Sequence, residues 1–105
     1  MLVRLATALV LVAGCTSANS TGIPPVSCPS GSTLTYANFG EELIAMHCLS
    51  CHDREKPVLT TQAQIRDHVP AILDQAVYTD AMPEKAGMPL AEREKLGEWL
   101  ACGAP

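Results

Sequence analysis

Cys48-Leu49-Ser50-Cys51-His52 decides how this 105-residue chain is read. Two thiols at this spacing, followed at once by an imidazole, form the pattern at which a c-type haem is attached. Each thiol can form a thioether to one vinyl group of a single porphyrin, and the adjoining histidine can set its ring on the iron. The chain holds five Cys and three His in all, so the pattern is rare by chance. Two other uses of the same residues are a zinc site built from Cys48, Cys51, His52 and a fourth ligand, and a dithiol redox pair. Their usual surroundings are missing: there is no second Cys-x-x-Cys, no His-x-x-x-His pair and no βαβ pattern around the motif.

Outward from the motif, helical signals dominate after Thr33 and nothing there alternates as a strand would. A first helix is expected from about Tyr36 to His47, with Phe39, Leu43 and Ile44 as its apolar stripe and Glu41 and Glu42 near its start, where the helix dipole favours anions. It runs straight into the motif. A second helical region is expected from about Thr61, capped by Thr60 or Thr61, with Ile65, Val69, Ile72, Leu73 and Ala76 apolar and Pro70 kinking or splitting it. A third is expected from about Ala91 to Ala101, with Leu96, Trp99 and Leu100 on one face, ended by Gly103 with Pro105 beyond.

Gly40, Ile44 and Cys48 are spaced by four and share one face of the first helix. This resembles the class I cytochrome c family, in which a small and a bulky residue precede the first haem cysteine by eight and four positions. In that family the terminal helix crosses this face, the glycine allowing close approach and the bulky residue meeting a leucine and an aromatic three apart. Leu96 and Trp99 have that spacing, while Ile44 stands where the family usually has an aromatic. The ending Trp99-Leu100-Ala101-Cys102-Gly103-Ala104-Pro105 also resembles that of bacterial lipoprotein cytochromes, many of which carry a Met-Pro dipeptide some way before it. The resemblance covers roughly residues 36–105. It implies an all-α, small cytochrome c-like fold, three to four short helices around one covalently attached haem c.

In such a protein Cys48 and Cys51 bind the haem and His52 is the proximal iron ligand. The distal side can be filled by Met82, Met88, His68 or His47, or stay open. A thioether stabilises ferrous iron relative to a second imidazole, which suits an electron carrier. Met82-Pro83 and Met88-Pro89 both lie between the second and third helices, where class I members keep their ligating loop. Met82 is preferred, matching the Met-Pro of the resembling proteins; Met88 is the second choice, nearer the terminal helix and more suited to core packing. His68 reads as a surface or hydrogen-bonded histidine, and His47 adjoins the first haem cysteine too closely to reach around the ring. Pro57 is a candidate to lie near the second nitrogen of His52, and Arg54 and Lys56 to pair with propionates.

The N-terminus supplies an address. A basic start at Met1 to Arg4, an apolar stretch from Leu5 to Val12 and Val12-Ala13-Gly14-Cys15 resemble a bacterial lipobox, which implies lipid on Cys15 after removal of residues 1–14; ordinary secretion is the alternative. The apolar run is too short to cross roughly 30 Å of hydrocarbon. Thr16 is not the aspartate associated with inner-membrane retention, so outer-membrane anchoring with the domain in the periplasm is expected. Residues 15–33, rich in Ser, Thr, Gly, Pro and Asn, read as a flexible tether, and residues 34–105 as the cytochrome c-like domain. Cys28 and Cys102 remain once haem and lipid have theirs, and in an oxidising compartment the pair suggests a disulfide.

The formal net charge is −4 and no basic run or stripe exists, which argues against nucleic acid as a partner. An acidic surface suits redox partners with a basic docking face and also keeps a small domain soluble. The function expected is one-electron transfer rather than enzymatic catalysis. The alternatives are a haem-based gas-binding or sensing module and a peroxidase-like enzyme, both needing an open distal site.

Overall fold

The computed structural model describes residues 18–84 and 87–105, so the expected leader, the expected lipidation site Cys15 and Thr16 lie outside the described residues. Its elements are five short α-helices and two π-helical turns. The helices are α1 (Glu41–His47), α2 (Leu49–His52), α3 (Gln62–Asp67), α4 (Val69–Ile72) and α5 (Leu90–Ala101); the π-turns are Tyr36–Gly40 and Leu73–Val77. Among the described residues there is no strand, only an isolated antiparallel bridge between Ser20 and Thr79. The fold class is all-α.

Local chemistry sets the helix starts. Thr35 accepts from the Asn38 amide through its side chain while Asn38 accepts from the Thr35 amide, a reciprocal cap ahead of the first π-turn. Thr61 and Gln64 do the same for α3, which settles the cap on Thr61. The second helical region is divided at His68, whose backbone leaves the helical range before Pro70 is reached, so Pro70 falls in the first turn of α4, where its missing N–H costs nothing. α5 begins at Leu90 and ends at Ala101 with Cys102 as its C-cap, and Gly103 turns the chain at φ +89°.

Trp99 is the centre of the core. It is fully buried with Ile44, Ile65, Val77 and Leu96. Tyr36 stacks on its ring at a centroid distance of 6.4 Å and Phe39 meets it edge-on at 6.2 Å, so the π-turn supplies two of its neighbours. A Cβ on Gly40 would fall 2.3 Å from the Trp99 ring, a separation no side chain tolerates. The first and terminal helices therefore meet at Gly40 and Trp99. The Trp99 indole N–H donates to the Pro105 carbonyl at 3.2 Å, and the Tyr36 amide donates to the same oxygen at 2.6 Å.

One stretch departs from expectation. From Asn19 onward the segment read as a tether lies against the helices as an extended strap. Asn19 and Asp80 exchange hydrogen bonds, the Thr21 amide donates to the Tyr78 carbonyl at 3.0 Å, and the Val26 amide donates to the Tyr78 hydroxyl at 3.0 Å. Val26 packs where a Cβ on Gly97 would come within 2.8 Å of it, and Ile23 also rests on the core. The strap is fastened further on, where Cys28 and Cys102 lie at disulfide distance with Cα atoms 4.7 Å apart. Backbone hydrogen bonds and two aliphatic side chains thus do what its polar composition argued against.

Candidate functional site

α1 stops at Cys48 because the backbone there swings to φ −121°, and one further helical turn, α2, follows at once. Cys48 and Cys51 are three apart on this turn and share a face. Cys48 is half-buried and Cys51 exposed. Burial pushes the Cys48 thiol up from 9.0 to about 11, since an anion there would lose its water.

His52 ends α2, and the following loop curls back so that the Leu59 amide donates to the His52 carbonyl at 2.9 Å. This closure brings the Pro57 carbonyl to 2.9 Å and the Glu55 carbonyl to 3.2 Å from Nδ1 of the imidazole. A carbonyl only accepts, so Nδ1 carries the proton and the lone pair is on Nε2, which makes no hydrogen bond to the described residues. The ring is held in the tautomer that a metal ligand needs.

A cleft of about 530 Å³ opens beside this turn, and its walls include Met46, His47, Cys48, Cys51, His52 and Met82. Cofactor pockets of small proteins fall in the same range of volume. Met82 reaches the cleft from far downstream, its amide donating to the Gln75 carbonyl at 2.8 Å. Met88 is buried in the core at 4% exposure and does not line this cleft; it borders a separate hollow of about 400 Å³ with Thr21, Asp80 and Arg93. Of the two Met-Pro dipeptides, only the first is brought to Cys48, Cys51 and His52.

The other candidate residues have different surroundings. His68 is away from the cleft and donates through Nδ1 to the Gln64 carbonyl at 2.8 Å. His47 does line the cleft, but its Nε2 is engaged with the Glu92 carboxylate at 2.9 Å, tying the end of α1 to α5. Lys56 lies at the cleft with Glu55 and Glu84, whereas Arg54 is exposed and pairs with the adjacent Asp53. Among the described residues no group of three or more His, Cys, Asp or Glu side chains is arranged to hold a metal ion on its own. No described helix is long and apolar enough to cross a membrane.

Sequence reading overlooked Arg93. It is 4% exposed and donates to the carbonyls of Met88, Ala76, Thr79 and Met82. The signal was there: Arg93, Leu96, Gly97 and Leu100 are spaced as one helix face, so a charge sits on the buried stripe of α5. Comparison with protein-family models, with curated proteins and with solved structures finds no match to this chain.

Proposed function

We propose that the chain is a one-electron carrier of the class I cytochrome c type, with one haem c bound covalently through Cys48 and Cys51. His52 Nε2 and the Met82 sulfur would hold its iron. The observation that carries this reading is the His52 ring: its Nδ1 proton is committed to the Pro57 and Glu55 carbonyls, leaving Nε2 free beside two thiols and a thioether in one cleft. That donor set fits a porphyrin-held iron: Cys48 and Cys51 would anchor the group and His52 and Met82 would supply an imidazole and a thioether to the metal. When bound, the group supplies a reversible ferric–ferrous couple.

The chain's own residues divide the remaining work. The Pro57 carbonyl fixes the orientation of His52 and raises the basicity of its other nitrogen. Met82 offers a soft donor that favours the ferrous state. Electron transfer breaks no substrate bond, so no catalytic side chain is required. The acidic balance of the chain suits redox proteins presenting a basic face. Lipid on Cys15 would anchor the domain to the bacterial envelope, at the outer membrane with the fold in the periplasm.

The test is expression with export and haem attachment. Haem should stay on the polypeptide through acid–acetone extraction and be lost when Cys48→Ala and Cys51→Ala are combined; haem retained on that double variant, or none on the wild type, would overturn the reading. The ferric protein should be low-spin with the weak long-wavelength band of methionine–sulfur ligation. A high-spin spectrum would point instead to a gas-binding or peroxidase-like open site.

A further inference from the structure

We propose that Arg93 is the positioning residue that holds Met82 in the cleft, gripping the backbone of both Met-Pro dipeptides with one buried guanidinium. This rests on the cytochrome reading above. Arg93 is the one charged or polar residue fully buried among the described residues, and no carboxylate there lies within ion-pair distance of it. A buried cation without a counter-ion is costly unless its donors are met. Here carbonyl dipoles meet Nε and Nη1, while Nη2 makes no hydrogen bond to the described residues and Arg93 borders the hollow beside Met88: Nη1 donates to Ala76 and Met82 at 2.8 Å each, with Thr79 a longer third acceptor at 3.4 Å, and Nε donates to Met88 at 3.0 Å.

These acceptors are not scattered. Ala76 belongs to the π-turn leading into the irregular segment, Met82 is the candidate ligand, and Met88 leads into α5. Both methionine carbonyls sit in Met-Pro amides, and the prolines bring no N–H, so this backbone is short of donors of its own. Arg93 supplies them from a rigid helix. The Met82 backbone is thereby held on both sides, its amide by the Gln75 carbonyl and its carbonyl by Arg93, each at 2.8 Å. A thioether on a side chain with three rotatable bonds is a weak ligand, and its residence on a metal depends on where its backbone is kept. The planar fork, with several donors in fixed geometry, makes arginine suited to this and lysine a poor replacement.

The experiment compares the holoprotein with Arg93→Gln and Arg93→Lys, each in the wild-type and Met82→Ala backgrounds. Three quantities are read: the methionine–sulfur band of the ferric form, the pH at which it disappears, and the rate at which carbon monoxide binds the ferrous form. Arg93→Gln should abolish the band or lower its disappearance by about one pH unit, and speed carbon monoxide binding about tenfold as the ligand-off fraction rises. Arg93→Lys should fall between. In the Met82→Ala background the Arg93 changes should leave the carbon monoxide rate unaltered, because the ligand they position is gone. An Arg93→Gln protein that melts earlier yet keeps its band and its slow carbon monoxide binding, or effects that simply add to those of Met82→Ala, would overturn the proposal. If Arg93→Gln does not fold, Arg93→Lys is judged by the same two criteria. Failure of the underlying reading looks different: the wild type itself would lack covalent haem or the sulfur band.

Discussion

Met82 and Met88 are chemically identical and both precede proline, so their contrasting surroundings make them a matched pair. Met82→Ala should remove the sulfur band, lower the reduction potential and admit carbon monoxide to the ferrous form, at little cost to folding. Met88→Ala should do the opposite: truncating a buried methionine costs about 2–5 kcal/mol, while the low-spin spectrum survives. Spectra and thermal melts on the two holoproteins check this directly, and a sulfur band lost in the Met88 variant would reverse the assignment. His52 is the other residue whose role depends on atoms rather than type. Its proximity to Pro57, with a ring nitrogen donating to a backbone carbonyl, was expected, and the folded loop sets the Pro57 carbonyl 2.9 Å from Nδ1. Arg93 was overlooked although its place on the apolar stripe of α5 was readable, because a charge on a helix is ordinarily solvated and the four carbonyls that make its burial tolerable converge only in the fold.

At the scale of elements, the contact between the first helix and α5 is the most exacting feature. Gly40→Ala would drive a methyl group into the Trp99 ring, where the nearest atom stands 2.3 Å from the Cβ position, so destabilisation of about 1–3 kcal/mol or more is expected. Thr61→Ala should cost about 1 kcal/mol through loss of one half of the α3 capping box. Denaturant unfolding of both holoproteins gives the comparison, and a Gly40→Ala protein as stable as the wild type would mean that the helices can separate without penalty. Spacing by four and by three made each helix face legible beforehand, but that the two faces meet at Gly40 was only what the family resemblance implied. The division of α3 from α4 was legible only in part: Pro70 announced an interruption, but the backbone breaks at His68, leaving the proline in the first turn that tolerates it best. The strap was misread because Ser, Thr, Gly and Pro promise little buried surface, whereas its attachment rests chiefly on backbone groups that composition does not reveal.

At the scale of the whole molecule, a domain this small buries a limited fraction of its surface, and ordering each residue costs about 1–2 kcal/mol of backbone entropy. A porphyrin seated in the cleft would add apolar surface that the four aromatic residues of the chain cannot supply. Protein made without haem attachment should therefore lose most of its helical circular dichroism at room temperature. The link between Cys28 and Cys102 closes a long loop and should stabilise the holoprotein by about 2–4 kcal/mol, without creating a core where none exists. A helical, cooperatively melting apoprotein would show that the polypeptide alone suffices.

If Cys15 carries lipid, the strap also limits how far the molecule can travel. Because Asn19 is already bonded to Asp80, only four peptide steps separate the docked chain from Cys15, a reach of at most about 14 Å when fully extended. With lipid on Cys15, the domain would not swing through the periplasm on a long leash; it would ride close above the bilayer, its Tyr78–Asp80 edge nearest the surface. An electron partner would then have to be a membrane resident or come to the membrane to meet it, and diffusion within the plane of the bilayer, rather than through the space between membranes, would set how often the two collide.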